Sequence, residues 1–432
     1  MAAEGNVTGP RWTPPLMGQG ATVSARRWPT TREGIVAEYD RRQAAYVGAE
    51  YSLAEVQELN LFRAVDGSDQ VIATSQRITA DIRFVARVDA ASIASDGLAL
   101  QVRESRVAGA GAADLALALG AEVWDRSAVP AQVRRWALNL AMLGTVWMEV
   151  QRLPDAEGGG SVIVAHDPRH VVADMDVTGQ HVRRLIVTTR YMDEGRLNPE
   201  TGEWDGTPVE HVRRRVVTPT EVTVYLDGKR VAEESNANPL GVVPAVRVDY
   251  GPILDGALSE WAGSGYEATV AAIDSARTQV LSIVTRHANP ILAVIGARLQ
   301  AGADLQTIGK DMALPEGADV KWLEAELKGV DTALAQAEAL RAGLMQTLPE
   351  FLFVESGASA SGTALSYRAG AFVAKIEPIR QAVYGALARC VGWAVAIDKR
   401  PGWSSLLDVY TVDGGDALPM DVAASAAPYT GL

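Results

Sequence analysis

What most constrains this chain is the order of three helical patterns in its last part. Ser264 to His287 carries Ala271, Ala272, Ile273, Ala276, Val280, Ile283 and Val284 at helical spacing without a break. At 1.5 Å per residue its ~24 residues would reach roughly 36 Å. Pro290 ends it, because proline has no amide hydrogen and its ring clashes with the preceding turn. A strand-like module runs from Ile291 to Leu323, with turns around Gly302 and Pro315-Glu316-Gly317. A second helix spans Asp331 to Leu348 and stops at Pro349. Glu355-Ser-Gly-Ala-Ser-Ala-Ser-Gly362 then reads as a loop, either a plain connector or a segment able to change shape repeatedly. A third helix covers Thr363 to Asp398, with apolar residues on several faces, the pattern of a buried helix.

Upstream the periodicity is different. Thr145 to Val150, Ser161 to Ala165, Val182 to Met192, His211 to Thr218 and Glu221 to Val231 read as strands. Turn-rich stretches separate them, and Asp227-Gly228 is a hairpin signal because that pair accepts the positive φ angles of a type I′ turn. So 144–250 is a β-rich block. Before it, Asp114 to Ala121 and Ala131 to Leu143 look helical, the second with Val133, Trp136, Leu140 and Leu143 on one face. Arg32 to Val65 reads as helices broken near Gly48 and Tyr51, and Ile78, Ile82, Phe84 and Val88 form a mixed, partly alternating pattern. Residues 1–30, rich in Pro, Gly, Thr and Arg, read as an extended arm.

A chain of 432 residues is long for one compact domain, and its 48% hydrophobic content excludes disorder over most of its length. Cys390 is the single cysteine, so no internal disulfide forms, and its apolar surroundings from Ala388 to Val395 predict a buried, inert thiol. No stretch approaches the ~20 apolar residues that span a bilayer. Met1 to Pro10 lacks the pattern of a secretory signal, so maturation in a cytoplasm is expected. The net charge of −13 argues against a protein that grips nucleic-acid phosphates tightly.

Catalytic motifs are missing. Neither Ala262-Gly-Ser-Gly265 nor Gly357-Ala-Ser-Ala-Ser361 satisfies the nucleophile elbow Gly-x-Ser-x-Gly. No Gly-Lys-Ser/Thr is present, which removes the P-loop and with it a nucleotide-driven motor. His166 and His170 have the i, i+4 spacing of a helical metal pair, but Asp167, Pro168 and Arg169 make the segment a turn. No catalytic residue, metal or cofactor is expected. Two basic clusters, Arg134-Arg135 and Arg213-Arg214-Arg215, read as solvated edges, inter-subunit ion pairs or a DNA-facing patch. Acidic residues recur through 304–355, among them Asp304, Asp319, Glu326, Asp331 and Glu338.

Three stretches and the order of elements resemble the portal proteins of tailed double-stranded DNA bacteriophages, the head-to-tail connectors of long-tailed phages. Asn238-Pro-Leu-Gly-Val-Val-Pro-Ala-Val-Arg247 is similar to the strand before that family's first stem helix. Ser361-Gly-Thr-Ala-Leu-Ser-Tyr-Arg368, followed by Lys375-Ile-Glu377, is similar to the Ser-Gly-x-Ala-Leu segment opening its long helix. Val164 to Asp174, with its Pro168 turn, and Val182 to Tyr191 resemble its wing motif. The resemblance covers about 130–400, and Ser361 to Leu365 is its most specific part.

The resemblance implies an α+β portal fold. Its parts would be an N-terminal arm (1–30), a mixed α/β wing (31–250), a first stem helix (251–288), a clip (289–328) and a second stem helix (329–349). A tunnel loop (350–361), a long wing helix (362–398) and a short C-terminal segment (399–432) in place of a large crown would follow. Glu350, Phe351, Glu355, Ser356, Ser359 and Ser361 would face DNA in the channel. Lys310, Asp311, Glu316, Lys321, Trp322 and Glu324 would form the docking surface of the clip for terminase and adaptor. Members form rings of about twelve copies through heterologous contacts that close on themselves. The implied partners are double-stranded DNA, the terminase large subunit, a head-tail adaptor, and the major capsid and scaffolding proteins, with no membrane. The implied location is the portal vertex of a virion assembled in the host cytoplasm. In a ring, acidic residues facing the channel would repeat as like charges that keep DNA mobile, and Ala268, Ala271, Ala272 and Ala276 would allow close packing of neighbours. Another virion or capsid-like shell component is the alternative, but it leaves the helix, clip, helix order unexplained. An enzyme with a dispersed site is a third reading, and no motif supports it.

Overall fold

The structure is a computed structural model. It describes residues 31–415, except 296–318, 324–327, 354–361, 400–407 and several shorter stretches. The chain opens with α1 (Arg32–Val47), α2 (Leu53–Glu58), the hairpin of β1 (Arg63–Val65) and β2 (Val71–Thr74), and α3 (Asp81–Ala94). Next come β3 (Ala99–Val102), α4 (Ala112–Arg126) and α5 (Val129–Leu143). The strands β4 (Thr145–Arg152), β5 (Ser161–His166), β6 (Val171–Met175), β7 (Val182–Asp193), β8 (Arg196–Leu197) and β9 (Trp204–Asp205) follow. The block continues with β10 (Val209–Val217), β11 (Glu221–Leu226), β12 (Lys229–Ala237) and β13 (Ala245–Asp249). The last part holds α6 (Glu267–His287), β14 (Ile291–Ile295), β15 (Asp319–Leu323), α7 (Lys328–Thr347), α8 (Gly362–Lys399) and β16 (Tyr410–Asp413).

These elements form two compact units. The larger, a body, takes α1, residues 80–265 and everything from Leu348 onward. Its antiparallel sheet runs in the order β12-β11-β10-β7-β6, and a second sheet runs β13-β4-β5. The first six residues of β4 are all buried, as a central strand must be when α5 packs on it from one element and α8 from another. The helix α8 also touches β5, β13, α3 and α4, which explains why its apolar residues are not confined to one stripe. Pro378 interrupts the hydrogen-bond ladder of α8, and both Pro378 and Ala374, whose carbonyl loses its helical partner, lie on the exposed side. Cys390 is buried on this helix, and burial pushes its thiol up to about 12.

Most of the expected elements are present, with boundaries moved by a few residues. The hairpin turn falls at Asp227 (φ 49°) and Gly228 (φ 79°), between β11 and β12. The mixed pattern through Ile82, Phe84 and Val88 resolves into the single helix α3. Alternation misleads there because α3 is covered by α1, α5 and α8, so its polar residues Asp81, Asp89 and Ser92 are buried along with the apolar ones.

The smaller unit holds Gly48–Thr79 and Tyr266–Thr347. Here α6 and α7 pack on each other, and the segment between them includes the antiparallel pair β14 and β15, in register from Ile291↔Leu323 to Ile295↔Asp319. The stretch before α3 is strapped to α6. Asp274, buried in that helix, accepts hydrogen bonds from the Tyr51 hydroxyl at 3.0 Å and the Ile78 amide at 3.1 Å. One turn on, the Thr278 hydroxyl accepts from the Gln76 amide at 3.0 Å. Arg77 pairs with Glu55 at 2.5 Å and stacks on Tyr51. Ala271 is buried against Tyr51, Val56 and Leu61 of its own chain, so this alanine at least is spent on intrachain packing.

The transition from helix to sheet in the body turns on Gly144. It ends α5 in the left-handed region (φ 88°), its amide donates to the Leu140 carbonyl at 2.7 Å, and its carbonyl accepts from the Tyr250 amide at 2.8 Å. A Cβ at this position would stand 2.5 Å from the Glu260 carbonyl oxygen and 2.6 Å from Arg42. Gly144→Ala is expected to destabilise the body by at least about 2 kcal/mol, read as a lower midpoint in denaturant unfolding.

Candidate functional site

The short 3-10 turn Pro349–Phe353 precedes residues 354–361, and α8 follows. Its Glu350 and Phe351 were expected to face a channel. In the structure both side chains are buried in the body, which corrects that expectation. Phe351 stacks against Phe84 of α3, with 5.2 Å between ring centroids. A phenyl ring next to the glutamate drives the turn inward, and a carboxylate carried along with it then requires a cation.

Lys375, in the first half of α8, provides that cation. Its ammonium donates to Glu350 Oε1 and, at 3.0 Å, to Asp89 Oδ2. The Tyr250 hydroxyl donates to the same Asp89 oxygen, and the ammonium stands 5.5 Å from the Tyr250 ring centroid. Asp89 and Glu350 are both fully buried, yet they share one lysine, so ionising both would leave an unbalanced negative charge inside the protein. Burial, together with the nearby Asp89 carboxylate, outweighs Lys375 and pushes the Glu350 carboxyl up to about 7. Burial and the same two carboxylates raise Tyr250 well above the ordinary phenol range.

Asp89 and Tyr250 escaped the sequence reading, and Lys375 entered it only within the segment Lys375-Ile-Glu377. Lys375 did carry a signal, because a lysine flanked by the buried Phe372, Ile376 and Ile379 on a helix needs a counter-ion. Which carboxylate supplies it depends on packing far apart in sequence.

The other expected site residues divide in two. Glu355, Ser356, Ser359, Ser361, Lys310, Asp311, Glu316 and Glu324 lie outside the described residues. Lys321 and Trp322 lie on β15, in register with Ala293 and Leu292 of β14.

The basic cluster on β10 is largely tied up inside the chain. Arg213 pairs with Glu234, Arg215 lies 2.8 Å from the fully buried Glu149, and Arg214, on the alternate face, is exposed. Burial alone would raise Glu149, but Arg215, His166 at 2.8 Å and Gln151 at 2.9 Å together hold it below its usual range. His166 bonds Glu149 and His170 bonds the Thr188 carbonyl, so the two rings are committed to different partners.

No family model and no curated protein matches the sequence. Among solved structures, the chain is similar to one in the virion of a native gene transfer agent particle, at 13% identity and a TM-score of 0.40 over 81% of this chain and 84% of that one. It is also similar to a chain in the neck of an empty particle of that kind computed with C6 symmetry, at 14% identity, TM-score 0.38, 81% of this chain and 85% of the other. A third is in the neck of the native particle computed with C12 symmetry, at 14% identity, TM-score 0.37 and the same coverage.

The charge cluster makes stability depend on pH with a definite sign. A carboxyl whose folded pKa lies above its unfolded value binds its proton more tightly when folded. Its stabilising contribution is complete below the unfolded value of 4.5 and is lost as pH rises through about 7. Thermal melts of the wild type should therefore fall between pH 5 and 8 on account of this group, and Glu350→Gln should flatten that decline. Lys375→Met, which leaves the two carboxylates without their cation, should cost about 3 kcal/mol at neutral pH. Adding Glu350→Gln to it should restore part of the loss, as a double-mutant cycle measures.

Proposed function

We propose that this chain is the subunit of a portal: a closed, non-enzymatic ring at one capsid vertex through which a double-stranded DNA genome is packaged and ejected. The observation that carries this reading is the continuous order at the end of the chain. A helix pair with a two-stranded ribbon between its members leads into a turn that buries Glu350 and Phe351, then a stretch of small residues in the sequence, then a long interior helix. In this reading α6 and α7 are the stem, the segment between them is the clip, and 355–360 is the tunnel loop. A loop that meets a moving polymer needs a free tip and fixed ends. The stacking of Phe351 and the Lys375 ion pairs supply the fixed ends, while the Gly, Ala and Ser residues supply the tip.

The net charge of −13 fits the same task, since repeating a mostly acidic chain around a closed ring repels phosphates and disfavours adhesion. About twelve copies, joined head to tail by heterologous contacts, would close such a ring. The clip would dock the terminase large subunit during packaging and a head-tail adaptor afterwards. The body would meet the major capsid and scaffolding proteins. No chemistry is assigned to the chain.

Deleting Glu355–Ala360 should leave subunit assembly intact and impair DNA packaging or retention in particles that carry the variant. If assembly collapses instead, the segment is a structural connector and the tunnel-loop assignment fails.

A further inference from the structure

The body contains a second feature that the portal reading does not use: a cavity of about 720 Å³ bounded by α5, the end of β5 and the turn after it, and strands β7 and β10. One face of α5 lines it, with Gln132, Arg135 and Asn139 at i, i+3 and i+7 and the buried Trp136 between them. Among the described residues, none of those three polar side chains has a hydrogen-bond or ion-pair partner. All three offer N–H donors, and the guanidinium of Arg135 is a permanent cation.

The facing wall carries three more arginines. Arg169, Arg213 and Arg215 line it, and Asp167 is the single carboxylate among the lining residues. Each of these arginines is ion-paired: Arg169 with Asp167 at 2.6 Å and Asp40 at 2.8 Å, Arg213 with Glu234, and Arg215 with Glu149 at 2.8 Å. Arg135 is therefore the one arginine among the lining residues without a carboxylate partner. A half-open cleft lined by two amide donors and an exposed, uncommitted arginine recognises an acceptor-rich anion.

We propose that this cavity binds an oxyanion of the phosphate or carboxylate type, with Arg135 as its principal ligand and Gln132 and Asn139 as accessory donors. Two sources share that chemistry: a free phosphorylated molecule, and an acidic side chain of a second copy of this chain. Binding to the site does not require that the chain form a ring.

Inorganic pyrophosphate titrated calorimetrically into the full-length protein tests the proposal. Neighbouring Arg134 supplies the control, because like Arg135 it is exposed, lies on the same helix and carries the same charge, but it does not line the cavity. The expected result is saturable binding that Arg135→Ala weakens at least tenfold and Arg134→Ala leaves within about twofold, with thermal melts of both variants matching the wild type. Pyrophosphate binding to the assembled protein identifies a free anion as the natural occupant. Binding confined to dissociated chains, with pyrophosphate driving dissociation, identifies the second copy. Absence of binding in both states, or equal losses in the two variants, would overturn the proposal.

Discussion

One lysine shared by two buried carboxylates holds the centre of the body together. Lys375 comes from the long helix, Asp89 from α3, and Glu350 from the turn before the loop, while Tyr250, just after β13, donates to Asp89. Four segments distant in sequence therefore meet at one ammonium group. An ion pair of this kind adds little net stability, because desolvating three charges offsets most of their attraction. What it does is make alternatives expensive: any packing that separates the lysine from its carboxylates leaves a charge buried and unpaired. That asymmetry fixes where the turn at Pro349–Phe353 sits, and so where the loop after it begins.

The chain is anchored on both sides of residues 354–361, by Phe351 against Phe84 before them and by the buried run of α8 after them. Charge is distributed with a similar division of labour. The acidic surplus belongs to the chain as a whole, whereas the arginines of α5, the Pro168–His170 turn and β10 converge on one cavity.

Much of the architecture was legible in the sequence. Strong helical periodicity bounded by Pro290 and Pro349 located α6 and α7 to within a few residues, and the Asp227-Gly228 pair located a hairpin. The all-round apolar pattern of α8 correctly announced an interior helix. The failures have physical causes. In α3, burial on more than one face erased the amphipathic signal and carried Asp89 inside. Glu350 looked like a solvated acid beside a flexible loop, and only tertiary contact with Lys375 and Phe84 shows why its turn is interior. The cavity donors Gln132 and Asn139 were unremarkable in sequence, because a polar residue on the outer face of a helix looks the same whether it meets solvent or a pocket.

The account rests on the claim that copies of this chain close into a ring around a channel. Electron microscopy of the purified full-length protein examines that claim directly. It should show closed rings with a central hole, uniform in copy number within a preparation. A species that stays strictly monomeric at high protein concentration, across several buffers, would contradict it.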